Sequence, residues 1–362
     1  MALLADAATP VHAQLLAKVR EALWARHPVD EACSDARIAA SVRRGFATLA
    51  ARGFAEGAAG EGLVDLVERC RRLADSDPRF RFIYRLPGSV GWGVAIGDTM
   101  SQALGCAGAE VACAVTGLMN AFMTLLDGLL DETPEIIAPH RAALAALVVD
   151  GLSGATDIRS APSPTDHPFN QLSFEVARLW LSQCADPRRP KALSAALAGA
   201  VREAMRAEYE SADAGFNSAA PNLAALYGRT RWPLYAQTLA TVRDGADLSG
   251  HELTILHRAI FRIADFAAWL DDVRDYVDDC RAERWNTVSS ALFRSRGFDR
   301  ASVDDTAALL LTPLAEDGFA TMLIDSGCAM RARIDEALEA ASFDVAGMRA
   351  LVADVTYDYL HA

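Results

Sequence analysis

The densest chemistry in the chain lies in one stretch, Asp271-Asp272-Val273-Arg274-Asp275-Tyr276-Val277-Asp278-Asp279. It sits in an apolar-periodic run from Leu253 to Arg281 with no Pro or Gly, which predicts one helix over 250–281. At 100° per residue, Asp271, Asp275 and Asp279 fall within roughly 80° of arc, one turn apart on one face. Like charges at this spacing repel by roughly 0.2–0.5 kcal/mol per pair, so the stripe needs a cation or full solvation. Oxygen ligands so arranged suit Mg2+, which binds through one or two carboxylates plus substrate phosphates. A charge run is usually a solvated helix face. Here Ile263, Phe266, Trp269, Leu270 and Tyr276 surround the acids, and Asp residues on a helix apolar around most of its circumference are expected to line a cavity.

A second acidic pair lies 144 residues upstream, in Leu125-Leu126-Asp127-Gly128-Leu129-Leu130-Asp131-Glu132-Thr133-Pro134. Asp127 and Asp131 are again i, i+4, now at the C-terminal end of a long apolar helix. The helix dipole places about −0.5 charge there, so carboxylates at that end call for a cation. A solvated helix terminus is the plain alternative for this pair taken alone. Two acidic clusters at helical spacing, each on an apolar helix, carry more than either does.

The elements that must position these acids read as helices almost throughout, and alternating β-branched runs are missing. Helices are predicted at about 11–26, 36–53, 60–75, 97–132, 135–152, 168–185, 190–213, 221–243, 250–281, 284–294, 305–341 and 345–360. Breaks are expected where Pro and Gly cluster: Pro87-Gly88 with Gly91 and Gly93, Thr133-Pro134, Ser160 to Pro168, and Asp244 to Gly250. The expected fold is all-α: a single helical bundle spanning 1–362 around a central cavity, with residues 1–85 a peripheral layer.

Composition narrows the function. The 362 residues are 52% hydrophobic, enough for a large core, and the net charge of −13 with no basic cluster argues against a nucleic-acid partner. Lys occurs only at Lys18 and Lys191, so the positive charge is nearly all Arg. Seven scattered Cys with no Cys-x-x-Cys pair indicate neither a disulfide framework nor a zinc site. No secretory leader is visible, and the longest uncharged apolar run, Val111 to Leu126, is 16 residues against the ~20 needed to span a bilayer. A cytoplasmic protein without a membrane span is expected, with self-association as a homodimer left open.

The two acidic segments together resemble the motifs of the class I isoprenoid synthases, an all-α family that binds a prenyl diphosphate through a Mg2+ cluster between two facing Asp-rich helices. Asp127-Gly-Leu-Leu-Asp131-Glu132 resembles a DxxxDE variant of the family's first motif. Asp271 to Asp279 is similar to the second motif of terpene synthases, (N/D)Dxx(S/T)xxxE, with Asp275 at the Ser/Thr position and Asp279 at the Glu position. The same residues also resemble the squalene/phytoene synthase pattern, as Arg274-Asp275-x-x-Asp278-Asp279 followed by Arg281 and Arg284. The terpene cyclase branch is favoured.

The resemblance implies that Asp127, Asp131, Asp271, Asp275 and Asp279 hold Mg2+, three ions with bound diphosphate. It implies a diphosphate-sensing Arg in Tyr227-Gly228-Arg229-Thr230-Arg231-Trp232, with Arg229 first and Arg231 second. Arg274 and Arg281 are further candidate donors or helix-face partners, and Tyr357 and Tyr359 could close over the diphosphate. Prenyl-pocket residues are expected one and two turns deeper, at Ala268, Ala267, Ala264 and Ile260 on one helix and Met123, Asn120, Met119 and Thr116 on the other. Phe122, Phe174, Trp180, Phe216, Tyr227, Trp232, Tyr235, Phe266 and Trp269 are candidate carbocation-stabilising aromatics, though aromatics also dominate ordinary cores. Three functions stay open: a cyclase using a C15 to C25 or longer prenyl diphosphate, a prenyl-chain coupling or elongating transferase, and a non-catalytic helical-bundle binding protein. Elongation needs a second diphosphate site, for which no clear Lys/Arg set is visible.

Overall fold

The computed structural model describes residues 2–49, 61–103, 105, 109–155, 158, 163–164, 166–184, 191–214, 250–296 and 309–361. The fold is all-α, and no strand occurs among the described residues. In order come α1 (Ala2–Arg26), α2 (Glu31–Leu49), α3 (Glu61–Ser76), a 3-10 segment Pro78–Arg85, α4 (Leu86–Ala103) and α5 (Ala109–Glu132). Then follow α6 (Pro134–Ile137), α7 (Arg141–Ser153), α8 (Pro168–Cys184), α9 (Lys191–Ala214), α10 (Gly250–Arg274), α11 (Tyr276–Ala282) and α12 (Thr287–Arg296). A 3-10 segment Thr312–Ala315, α13 (Asp317–Glu339) and α14 (Ala346–Leu360) complete the order.

The break expected at Pro87–Gly93 is instead the first half of α4. Pro87 sits at the start of the helix, where its missing N–H is not needed. The glycines are there for proximity. A Cβ on Gly93 would overlap the Thr116 carbonyl oxygen of α5, one on Gly97 would stand 2.5 Å from Thr116 Oγ1, and one on Gly91 2.6 Å from the Val42 Cα of α2. The small residues thus let α4 lie between α2 and α5 at backbone contact. The predicted helix 97–132 is two helices, α4 and α5, divided at Gly105, whose φ of 63° is the left-handed conformation that glycine adopts freely. The break at Thr133-Pro134 is found, with Pro134 opening α6.

Apolar faces meet in two cores. One gathers α3 to α9 around Leu118, Phe122, Leu125, Phe169, Trp180 and Val201. The other joins α1 to α10–α14 around Val19, Leu256, Phe266, Leu270, Tyr276 and Val352. The N-terminal helices are tied in: the Arg37 guanidinium of α2 donates to both carboxylate oxygens of buried Asp354 on α14, at 2.5 and 2.8 Å. Two segments, Glu110–Glu132 and Pro134–Ser153, are long and apolar enough to cross a membrane by length and composition only. The first is 72% buried over its apolar window, as a core helix is.

Candidate active site

The seam between the two cores opens into a cavity of about 1000 Å³, and both acidic motifs line it. Asp127, Asp131 and Glu132 come from the end of α5; Asp271, Asp272, Asp275, Asp278 and Asp279 come from α10 and α11. Leu125, Leu126 and Leu129 face the first core with no exposed surface, which leaves Asp127 between them on the cavity side. On the other wall, Leu270, Val273, Tyr276 and Val277 anchor the chain from below.

The second motif does not lie on one continuous helix. α10 ends at Arg274 and α11 begins at Tyr276, with Asp275 between them at φ −91°, ψ 3°. The i→i−4 bonds Asp275 N to Asp271 O and Asp279 N to Asp275 O, both 2.8 Å, carry the chain through the break. From α1, His12 Nε2 approaches the Val273 carbonyl oxygen at 2.8 Å, just before this point. Burial holds the His12 pKa below the ordinary value, which favours a neutral ring that donates to the carbonyl.

After the motif, buried Asn286 and half-buried Thr287 fix Asp272 and Asp279. Asn286 Nδ2 donates to the Asp272 carbonyl at 2.7 Å and to Asp279 Oδ2 at 2.8 Å. Thr287 donates both N–H and hydroxyl to Asp272 Oδ2. Asn286 Oδ1 accepts from Val288 N at 2.9 Å and so caps α12.

Two arginines bond to acids of the two walls. Arg274 Nε donates to Asp275 Oδ1 at 2.8 Å, and its Nη2 donates to Asp271 Oδ1 at 2.8 Å and Asp275 Oδ2 at 3.2 Å. Burial alone would lower the Arg274 pKa, but the bond to Asp275 and the charges of Asp271 and Asp275 outweigh it and raise the value. Its guanidinium lies 4.7 Å from the ring centre of Tyr359, whose phenol is pushed up by burial. Arg284 links the two motifs, with Nη2 donating to Glu132 Oε1 at 2.7 Å and Nη1 lying 4.0 Å from Asp131 Oδ2. Asp271 and Asp275 remain 43% and 42% exposed, so they open onto the cavity mouth.

The remaining expectations divide. Arg281 does not line the cavity; it turns outward to Asp278 at 2.8 Å and Thr9 Oγ1 at 2.7 Å, because the helix rotation away from the acidic face points it at α1. Tyr359 lines the cavity, whereas Tyr357 stacks on Trp24. Of the eight expected pocket residues, Ala267 and Asn120 line it. Thr116 is folded onto its own helix, and Met119, Ile260 and Ala264 are core residues. Phe122, Phe174, Trp180 and Phe266 are likewise buried in the cores, and Trp269 packs on Phe266 and over Gly327. Arg229, Arg231, Phe216, Tyr227, Trp232 and Tyr235 fall outside the described residues.

The aromatic walls are instead Phe82, Trp92, Trp285 and Tyr359. Trp285 was within reach of a sequence reading, since it directly follows Arg284. Trp92 and Ser89 were hidden in a stretch whose glycines suggested a loop. Trp92 Nε1 donates to Asp358 Oδ2 at 3.2 Å, and Ser89 exchanges bonds with Asn120 and accepts from Thr124 Oγ1 at 2.5 Å.

Among the described residues, no three His, Cys, Asp or Glu side chains form a ready-made metal cage. The donor set still fits Mg2+: hard carboxylate oxygens on two facing walls, for an ion that keeps waters and draws further ligands from substrate phosphates.

No protein-family model matches the chain, and no curated protein matches it. Solved structures do. The linalool/nerolidol synthase of Streptomyces clavuligerus is 13% identical over 83% of this chain and 95% of its own, with a TM-score of 0.44. A decaprenyl diphosphate synthase of Rhodobacter capsulatus is 14% identical over 96% and 98%, at 0.47. The germacradien-4-ol synthase of Streptomyces citricolor is 17% identical over 83% and 94%, at 0.38. The all-α fold of this chain is similar to the folds of these terpene and prenyl diphosphate synthases.

Proposed function

We propose that the chain is a cytoplasmic class I isoprenoid synthase of the terpene-synthase type, which ionises a prenyl diphosphate of C15 to C25 or longer with Mg2+ and releases diphosphate. One observation carries this reading: two acidic motifs 144 residues apart line the same cavity, with Arg284 bridging the end of one to the other. A solvated acidic face would have no reason to meet a second one across a cavity.

Asp127, Asp131, Asp271, Asp275 and Asp279 would hold the metal. Bound Mg2+ supplies Lewis acidity toward the departing diphosphate. Arg274, already at the mouth, presents guanidinium N–H groups to phosphate oxygens. Phe82, Trp92, Trp285 and Tyr359 shield the chamber from bulk water, which would otherwise quench an allylic cation, and their π-faces favour positive charge by ~0.5–2 kcal/mol each. Arg229 and Arg231 are proposed as further diphosphate donors.

Chain coupling is the second reading. It draws on two of the three cavity-lining arginines, Arg274 and Arg284, which belong to the stretch that resembles the squalene/phytoene pattern. Incubation with Mg2+ and geranyl, farnesyl, geranylgeranyl or geranylfarnesyl diphosphate, followed by mass spectrometry of the organic extract, separates the readings. A hydrocarbon or alcohol from a single substrate molecule is expected. A product of doubled chain length would favour coupling, and no diphosphate release from any substrate would overturn both and leave a binding protein.

A further inference from the structure

We propose that Arg274 is a resident counter-ion that keeps the second acidic motif closed to divalent cations until a diphosphate takes over its guanidinium, so that metal and diphosphate bind as one coupled event. This rests on the reading of the cavity as a metal and diphosphate site, and adds an order to it.

The geometry is that of an occupied site. Arg274 sits between Asp271 and Asp275, using Nε and Nη2 for three bonds of 2.8 to 3.2 Å. The two carboxylates a cation would need are therefore both already engaged by one positive charge on their own chain. A guanidinium cannot be released by deprotonation at any ordinary pH, so only competition can move it. A divalent ion arriving alone would have to break the bonds of Arg274 to Asp271 and Asp275 and hold two like charges close together in a half-buried place. A diphosphate changes the balance, because it offers acceptors both to the ion and to Arg274.

The way in is also present. Among the described residues Nη1 of Arg274 has no hydrogen-bond partner, and the side chain lines the cavity, so a phosphate oxygen can engage that edge of the guanidinium before the Asp bonds break. The Tyr359 ring beneath it supports the positive charge throughout the exchange. Because binding linkage is reciprocal, whatever diphosphate does for metal affinity, metal does for diphosphate affinity.

The test is Mn2+ affinity, followed by the electron paramagnetic resonance of the free ion, for the full chain and for Arg274→Gln, each with and without inorganic pyrophosphate. The unaltered protein is expected to bind Mn2+ weakly alone and much more tightly with pyrophosphate. Arg274→Gln should bind Mn2+ alone about tenfold or more tightly than the unaltered protein, within the usual range of coupling factors, and should gain less from pyrophosphate. Should that variant fail to fold, Arg274→Lys, which keeps the charge but cannot fork, is expected to shift in the same direction by a smaller factor. Equal Mn2+ affinity of variant and parent without pyrophosphate, with both still tightened by it, would remove the counter-ion role and leave the site reading standing. Failure of every form to bind Mn2+ even with pyrophosphate would remove both.

Discussion

Arg284 shows how much a single side chain does at the cavity mouth. It reaches from beyond α11 to Glu132 and Asp131 at the end of α5, and so ties together the two walls that carry the acids. The pair is only half-buried, with 33% and 30% of the two side chains exposed, so solvent screening limits its worth to stability to about 1 kcal/mol or less. Arg284→Met is therefore expected to leave the melting temperature within a few degrees of the parent while product formation falls by about tenfold or more, read by mass spectrometry beside a thermal melt. A large loss of stability with turnover retained would make Arg284 a fold residue. At this scale the sequence was informative about type and spacing but not about partners. The five metal-ligand candidates all reach the cavity, because i, i+4 spacing determines a face whatever surrounds it. Of the two roles open to Arg281, donor or helix-face partner, the structure shows the pairing with Asp278, because a helix position says which way a side chain leaves, not which neighbour waits there. Asp272 and Asp279 show no partner in the sequence pattern, yet Thr287 and Asn286, one loop later, bond to them.

Among the elements, α4 was the least legible and is the most constrained. Its glycines look like punctuation, and only the presence of α2 and α5 on either side shows that they are contact surfaces. Gly93→Ala would drive a methyl group into the Thr116 carbonyl, and overpacking of this kind costs typically 1–3 kcal/mol. Gly88, where an added Cβ meets nothing within 4 Å, is the internal comparison, and Gly88→Ala should be neutral or slightly stabilising. Chemical denaturation of the two variants is expected to separate them by more than about 1 kcal/mol in that order; equal stabilities would remove the contact role of Gly93. The kink at Asp275 was equally invisible, since no Pro or Gly marks it. Capping of α12 by Asn286 and the His12 contact from α1 are tertiary facts that a helical period does not contain.

The whole molecule places its cavity where two apolar cores meet, and lining residues come from both. We propose that residues 1–362 therefore unfold as one unit, with the N-terminal helices included. Ligand binding across such a seam stabilises both sides together, by about 2.7 kcal/mol at a hundredfold excess over Kd. Calorimetry with Mg2+ and pyrophosphate is expected to show one transition displaced upward by several degrees; two transitions, only one of them displaced, would divide the chain into separate units. The all-α class was readable from periodicity alone. The division into two cores was not, because a hydrophobic stripe records that a face is covered and not by which helix.

The glycine seam between α4 and α5 also bears on how such a chain can change over time. With backbone pressed on backbone at Gly93 and Gly97, α5 has almost no freedom to slide or to thicken, and the height at which it presents Asp127 and Asp131 is locked. Variation in what the chamber accepts must then be written on the opposite side, at positions such as Ala267, Val355 and Tyr359 on α10 and α14. One wall is the ruler and the other the adjustable jaw, so a library aimed at altered chain length belongs on the second wall.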